Sequence, residues 1–287
     1  MKNLIVNETF NNKKLSYFLT SSFPKLSINS IYKALRKKDI KINGIRTHED
    51  ICIHTNDSID VYIADDILFP KLNLDIVYED DNILIVNKGS GIEVAGDNSL
   101  TSELHSRYCN FKFKPMPCHR LDRNTTGLVL FAKNELSLTI LLDKFKNHEI
   151  KKHYIALVYG TPPKGYDRLE AFLFKDNKKS LVYISDSAKT GYRKIVTSYN
   201  VLEKRNDNSC LLEVQIETGR THQIRAHLAH IGLPIIGDGK YGFNEINKKF
   251  SAKAQKLCGY KLRFNFTSDS EILNYLNGKE FSIDYKF

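Results

Sequence analysis

Cys118-His119-Arg120-Leu121-Asp122-Arg123-Asn124-Thr125-Thr126-Gly127, running into Leu128-Val129-Leu130-Phe131, sets one carboxylate between two arginines and ends in a turn-forming glycine before an apolar run. Positive charge on either side favours the ionised form of an acid. Such an acid suits a nucleophile or a charge-stabilising group better than a proton donor. A surface loop holding an ordinary salt bridge fits the same residues.

Outward from this segment, residues 74 to 287 read as one strand-rich domain. Ile76-Val77-Tyr78 and Ile83-Leu84-Ile85-Val86 flank an acidic turn and suggest a hairpin. Asn134 can cap a helix with Leu138, Leu141, Leu142 and Phe145 on one face. Tyr154 to Tyr159 reads as a strand ending at Gly160, and residues 195–202 and 210–217 as a strand pair. Thr221 can cap a short helix with Ile224, His227, Leu228 and Ile231 inward, stopped by Gly232 and Pro234. The order lacks βαβ regularity, so the expected fold is α+β with a mixed, largely antiparallel sheet.

Residues 1 to 66 read as a smaller α/β module, and residues 64–73, with Pro70 and no periodicity, as a linker. Ser27 or Asn29 can cap a helix whose apolar face is Ile28, Ile31, Tyr32 and Leu35. Its other face carries Lys33, Arg36 and Lys37, followed by Lys38. Ile40 to Ile45 holds an Asn-Gly hairpin turn, and Ile59 to Ile63 is a further strand. From Lys33 to Arg46 six basic residues face one acid, Asp39, a stripe that suits a phosphate backbone or a solvated surface.

The whole chain carries a net charge of +10 and a pI of about 9.2, which points to a polyanionic partner, most simply nucleic acid. Five scattered cysteines without a CxxC pair argue against a disulfide framework and against a zinc site. No apolar run approaches the roughly 20 residues that span a bilayer, so no membrane partner is expected. The N-terminus turns polar too soon for a signal peptide, and reduced thiols suit a cytoplasmic protein.

A second cluster, Glu217-Thr218-Gly219-Arg220-Thr221-His222-Gln223-Ile224-Arg225-Ala226-His227, falls at a strand-to-helix junction, where free backbone N–H groups bind anions. Arg220 and Arg225 can pair with a carboxylate elsewhere or contact phosphate directly. His222 and His227, five apart, lie on different sides of a helix, and no HExxH pattern exists, so no metal is expected.

Taken together, His119 to Gly127, Lys152 to Gly160, Gly219 to His227 and then Pro234 to Asp238 with Tyr241-Gly242 resemble the ordered motifs of the RluA-type pseudouridine synthases. The likeness runs from about Asp75 to Phe266. Lys25 to Ile63 resembles the small RNA-binding domain of ribosomal protein S-four, a familiar companion of such domains. The resemblance implies cofactor-free isomerisation of uridine in RNA, ribosomal RNA before transfer RNA; a monomer is expected, with the sequence leaving the assembly state open. It implies Asp122 as catalytic carboxylate and Tyr154 as the ring that stacks on uracil and assists proton removal. Arg220 would pair with Asp122, Arg120 would replace the extruded base in the stack, and Ile216 would floor the uracil. Lys88 and Arg225 would touch substrate, and Lys33, Arg36, Lys37 and Lys38 would grip RNA. The chain departs from the family at Lys88-Gly89-Ser90-Gly91, which lacks the usual proline, and at Ala95-Gly96, where a His-Pro pair is usual. That departure bears on the rigidity of the loop and is the sole support for a non-catalytic RNA-binding or ribosome-assembly alternative.

Overall fold

The computed structural model describes all residues except 24–25, 69–72 and 286, with the backbone alone at 66. Lys25, where the S-four-like stretch begins, and Pro70 of the expected linker lie outside the described residues. The chain divides into two compact units, Met1–Asn73 and Leu74–Phe287.

The first unit runs β1 (Lys2–Ile5), β2 (Lys13–Lys14), α1 (Leu15–Ser22), α2 (Ile28–Arg36), β3 (Ile40–Ile42), β4 (Ile45–Thr47), β5 (Cys52–Ile53), β6 (Ser58–Val61) and α3 (Asp65–Leu68). Its main sheet has the order β1-β6-β3-β4, and β2 pairs with β5. Ser27 caps α2 by accepting from the Ser30 amide. The buried face of α2 is Ile31, Ala34 and Leu35, whereas Ile28 and Tyr32, expected inward, are exposed. Asn43 and Gly44 both adopt positive φ (51° and 82°), the two-residue turn that matches strand twist. Part of the expected linker is helical: α3 forms there, and Leu68 is buried in this unit's core.

The second unit continues with β7 (Asp75–Glu79), β8 (Ile83–Lys88), α4 (Leu100–Arg107), β9 (Met116–Pro117), β10 (Thr126–Ala132), α5 (Glu135–Lys146), β11 (Ile150–Tyr159), β12 (Tyr166–Asp176), β13 (Leu181–Ser185), β14 (Arg193–Lys204), β15 (Ser209–Ile216), α6 (Gln223–His230), α7 (Asn244–Lys249), β16 (Leu257–Phe264) and β17 (Glu280–Ser282). One sheet links them in the order β13-β12-β14-β15-β11-β16-β10-β8-β7, with β17 on β16 and β9 on β10. Among the described residues every strand pairing in this sheet is antiparallel except β10 with β16. The unit is thus α+β on a mixed, largely antiparallel sheet.

The apolar run after Gly127 is a strand buried on both faces. Val129 and Phe131 join Leu84 and Val86 under α4 and α6 on one side. Leu128 and Leu130 join Ile83 and Ile85 under α5 on the other. Such double burial explains a continuous hydrophobic run instead of an alternating one. Asn134 caps α5 by accepting from the Ser137 amide. The packed face of α5 is Ile140, Leu141 and Lys144, and Leu142 points out. Lys144 is neutralised by Glu149 at 2.9 Å.

Candidate active site

Two glycines set the position of the Asp122 loop. Gly127, the second residue of β10, stands at φ +117° opposite Gly259 of β16. A β-carbon on Gly127 would stand 2.3 Å from the Gly259 carbonyl oxygen, so only glycine permits this approach. Gly259 in turn leaves room for the Tyr154 ring, whose edge lies 3.3 Å from where its β-carbon would be. The loop between β9 and β10 therefore ends beside Tyr154 on β11.

Asp122 and Tyr154 line one cavity of about 230 Å³ together with His119, Arg120, Lys152, Ile216, Arg220, His222 and Arg225. A wider cleft of about 800 Å³ shares Arg120, Asp122, His222 and Arg225 and adds Lys175, Asn177 and Lys240. The sequence-predicted acid, tyrosine, apolar floor and both arginines of the second cluster thus meet in one place.

The expected pairing of Arg220 with Asp122 is corrected by the geometry. Arg225 Nη1 donates to Asp122 Oδ2 at 2.9 Å. Arg220 is exposed at the rim, its backbone N–H bound by the Gln223 side chain. Position explains the exchange: Arg225 lies within α6 and points inward, while Arg220 precedes the helix. Arg225 is buried, yet it lines both the cavity and the cleft. Its Nε and Nη2 donate to Asp238 Oδ2 and Oδ1 at 2.7 and 3.0 Å. Burial pushes the Asp238 carboxyl up, but the Arg225 hydrogen bonds outweigh it and hold the group below its ordinary value. Asp238 also accepts from the backbone N–H groups of Lys240 and Tyr241. A guanidinium locked in this fork presents one remaining edge to Asp122.

Lys88 is a second correction. It is buried, and its Nζ donates to the carbonyls of Gly89, Ile92 and Arg123 at 2.9, 2.8 and 3.0 Å. It therefore ties the Asp122 loop and does not face a substrate. Burial draws its pKa down to about 8 against the raising effect of Asp122. The Gly91 amide donates to the Arg123 carbonyl, Arg123 Nε to the Gly91 carbonyl, and the Ser90 hydroxyl to the Asn124 carbonyl. Stitching at these points holds the Lys88-Gly89-Ser90-Gly91 loop without the proline.

Tyr154 is buried, and burial together with the charge of Asp122 pushes its phenol well above the ordinary value. Arg120 is exposed and makes no ion pair among the described residues. His119 accepts from the Leu130 amide through Nε2 (3.1 Å), and burial draws its pKa down to about 3, with Lys152 acting the same way. In the first unit Lys33, Arg36, Lys37 and Lys38 are all exposed. Lys41 and Arg46 lie beside them in sequence, 5.2 and 5.6 Å from the Tyr62 ring centroid.

Three cavity features escape the sequence reading. Thr221 does not cap α6: His222 occupies the cap position at φ +54° without a side-chain cap bond. Asp238, which the sequence shows only as the last residue of the Pro234-to-Asp238 motif, anchors Arg225. Lys152 lines the cavity with its Nζ 5.5 Å from the Phe145 ring centroid, and burial draws it down to about 8. The pattern of a lysine two residues before a strand tyrosine is visible in the sequence, but its burial is not.

A carboxylate clamped by a buried guanidinium beside a buried tyrosine, at the end of an α+β sheet, is the equipment of an enzyme. The family model described as RNA pseudouridylate synthase matches residues 82–230, and the chain belongs to that family. A ribosomal large subunit pseudouridine synthase C of Rickettsia felis is 33% identical over 85% of this chain and 88% of its own length. Its counterpart in Buchnera aphidicola is 31% identical over 96% of each chain. The solved human RNA pseudouridylate synthase domain containing 1 is 26% identical, covering 69% of this chain and 80% of its own with a TM-score of 0.58. By family, the chain is an RNA pseudouridine synthase, an isomerase.

Proposed function

We propose that this chain converts uridine to pseudouridine in large-subunit ribosomal RNA, with Asp122 as the reacting carboxylate. The observation that carries the reading is Asp122 tied through one oxygen to Arg225 in a cavity shared with Tyr154. The names of the Rickettsia and Buchnera relatives support the choice of RNA. A net charge of +10 suits that partner.

The reaction breaks the N-glycosidic bond, turns uracil within the site and forms a carbon–carbon glycosidic bond. Nothing is added to or lost from the RNA, so the scheme calls for no cofactor. A glycosidic carbon inside a stacked helix is out of reach, and extrusion costs a few kcal/mol. Arg120, exposed and without an ion-pair partner among the described residues, fills the vacated stack. Tyr154 supplies a ring face to uracil, and Ile216 closes the floor. Because burial and the charge of Asp122 hold its phenol neutral, Tyr154 accepts the uracil proton only as it passes its own hydroxyl proton to an acceptor positioned by the bound nucleotide. Arg220 on the rim and Lys152 inside supply positive charge to the phosphates. Attack on the sugar, attack on the base and removal of a sugar proton all use the same carboxylate.

The first unit is read as the RNA grip. The Buchnera likeness, at 96% of this chain, takes in most of residues 1–73. The protein works as a cytoplasmic monomer in this reading, and no helix of the described residues is long and apolar enough to cross a membrane.

The test is pseudouridine mapping of large-subunit RNA from a deletion strain, with the pure protein added back to the unmodified transcript. One or more sites should vanish and be restored. Unchanged sites together with no product in vitro would refute the proposal.

A further inference from the structure

One cavity histidine has no part in the scheme above. His222 holds a left-handed backbone at φ +54°, a conformation that a residue with a β-carbon adopts only at a cost. Its Nδ1 lies 2.8 Å from Tyr241 Oη. The Val182 amide donates to that same oxygen at 2.9 Å. The arrangement that satisfies all three groups has Tyr241 accepting from Val182 and donating its own hydrogen to Nδ1. The ring proton then sits on Nε2. That nitrogen faces Asp122 Oδ2 at 4.0 Å, the same oxygen that Arg225 holds at 2.9 Å.

We infer that His222 is a positioning residue which, with Arg225, anchors Oδ2 of Asp122 so that Oδ1 is the oxygen that meets the nucleotide. This rests on the reading of Asp122 as the reacting carboxylate. The 4.0 Å separation exceeds a hydrogen bond, and bonds in empty sites commonly tighten when substrate arrives. The charged and titratable groups facing the imidazole are Asp122 from the β9–β10 loop, Arg225 of α6, and Asp238, Lys240 and Tyr241 from the turn after α6. Burial draws His222 down to about 4; Arg225 and Lys240 act the same way, Asp122 and Asp238 oppose them. Near neutrality the ring is therefore an uncharged N–H donor.

The experiment measures single-turnover rate against pH at saturating enzyme, on a ribosomal RNA fragment that the wild type modifies. His222→Asn suits a left-handed backbone and keeps a partner for Tyr241, but is too short to reach Asp122. His222→Gln puts its amide nitrogen near the place of Nε2. The Asn variant should be slower by about tenfold to a hundredfold, the worth of one hydrogen bond to a charged group. The acid limb of its rate profile should move to higher pH, because a carboxylate stripped of a donor ionises less readily. The Gln variant should keep the wild-type limb. Tyr241→Phe, which removes the hydrogen held by Nδ1, should move the limb part of the way. A limb unmoved in the folded Asn and Phe variants overturns the inference, whatever their rates. Asp122→Asn is run alongside: turnover retained there removes Asp122 itself from its role, a different failure.

Discussion

Arg225 and Asp238 provide the sharpest energetic test of how the site is built. Their side chains are 7% and 0% exposed and meet through two hydrogen bonds of 2.7 and 3.0 Å. Removing one partner of such a pair leaves an uncompensated buried charge, at a cost of about 3–5 kcal/mol. In a unit of this size each kcal/mol lowers the melting temperature by about 2–4 °C, so Arg225→Met or Asp238→Asn should melt about 6–20 °C early. Asparagine keeps an oxygen for the Lys240 and Tyr241 amides, so the loss reports the fork itself. The double variant should be no less stable than the worse single one, because neither charge is then stranded. Urea unfolding of all four proteins yields the coupling, expected at about 2–3 kcal/mol. Additivity within about 0.5 kcal/mol would refute the claim that Asp238 is what holds Arg225 in place.

Gly127→Ala should destabilise the second unit far more than Gly278→Ala in a thermal melt. Both glycines have positive φ, but a β-carbon at 278 meets nothing within 4 Å and one at 127 meets the Gly259 backbone at 2.3 Å. Equal shifts would show that the β10–β16 approach can relax. Replacing Lys33, Arg36, Lys37 and Lys38 together by glutamine should flatten the salt dependence of RNA affinity. The log–log slope should fall by about 3, near 0.7–0.9 per lost phosphate contact. An unchanged slope would remove the helix end from the RNA grip.

The parts of this fold that could be read from sequence are those dictated by local chemistry. The Asn43-Gly44 turn, the Ser27 and Asn134 caps and the apolar run Leu128–Phe131 each carry their reason within a few residues. The β12–β13 hairpin is hidden because the alternation of Leu169, Ala171 and Leu173 with Arg168 and Glu170 is blurred by Asp167 on the first face and by Phe172 and Phe174 on the other. Residues of the site were legible as types and not as partners. Arg220 and Arg225 are five residues apart and equally plausible on paper. Arg220 falls before the left-handed turn at His222, and Arg225 falls after it, within α6 and facing Asp122. Lys88 could not be told from a surface lysine, since the three carbonyls that hold it come from chain up to 35 residues away.

The central claim is that Asp122, held by Arg225, is the reacting carboxylate. The most direct measurement is Asp122→Asn under single-turnover conditions, with RNA affinity measured on the same preparation. The amide keeps the shape of the carboxylate and loses its charge. Product formation should fall by about 10⁴-fold, as for removal of a reacting group in other enzymes, while RNA binds nearly as tightly as before. Turnover close to wild type, or a loss explained wholly by weaker RNA binding, would contradict the account.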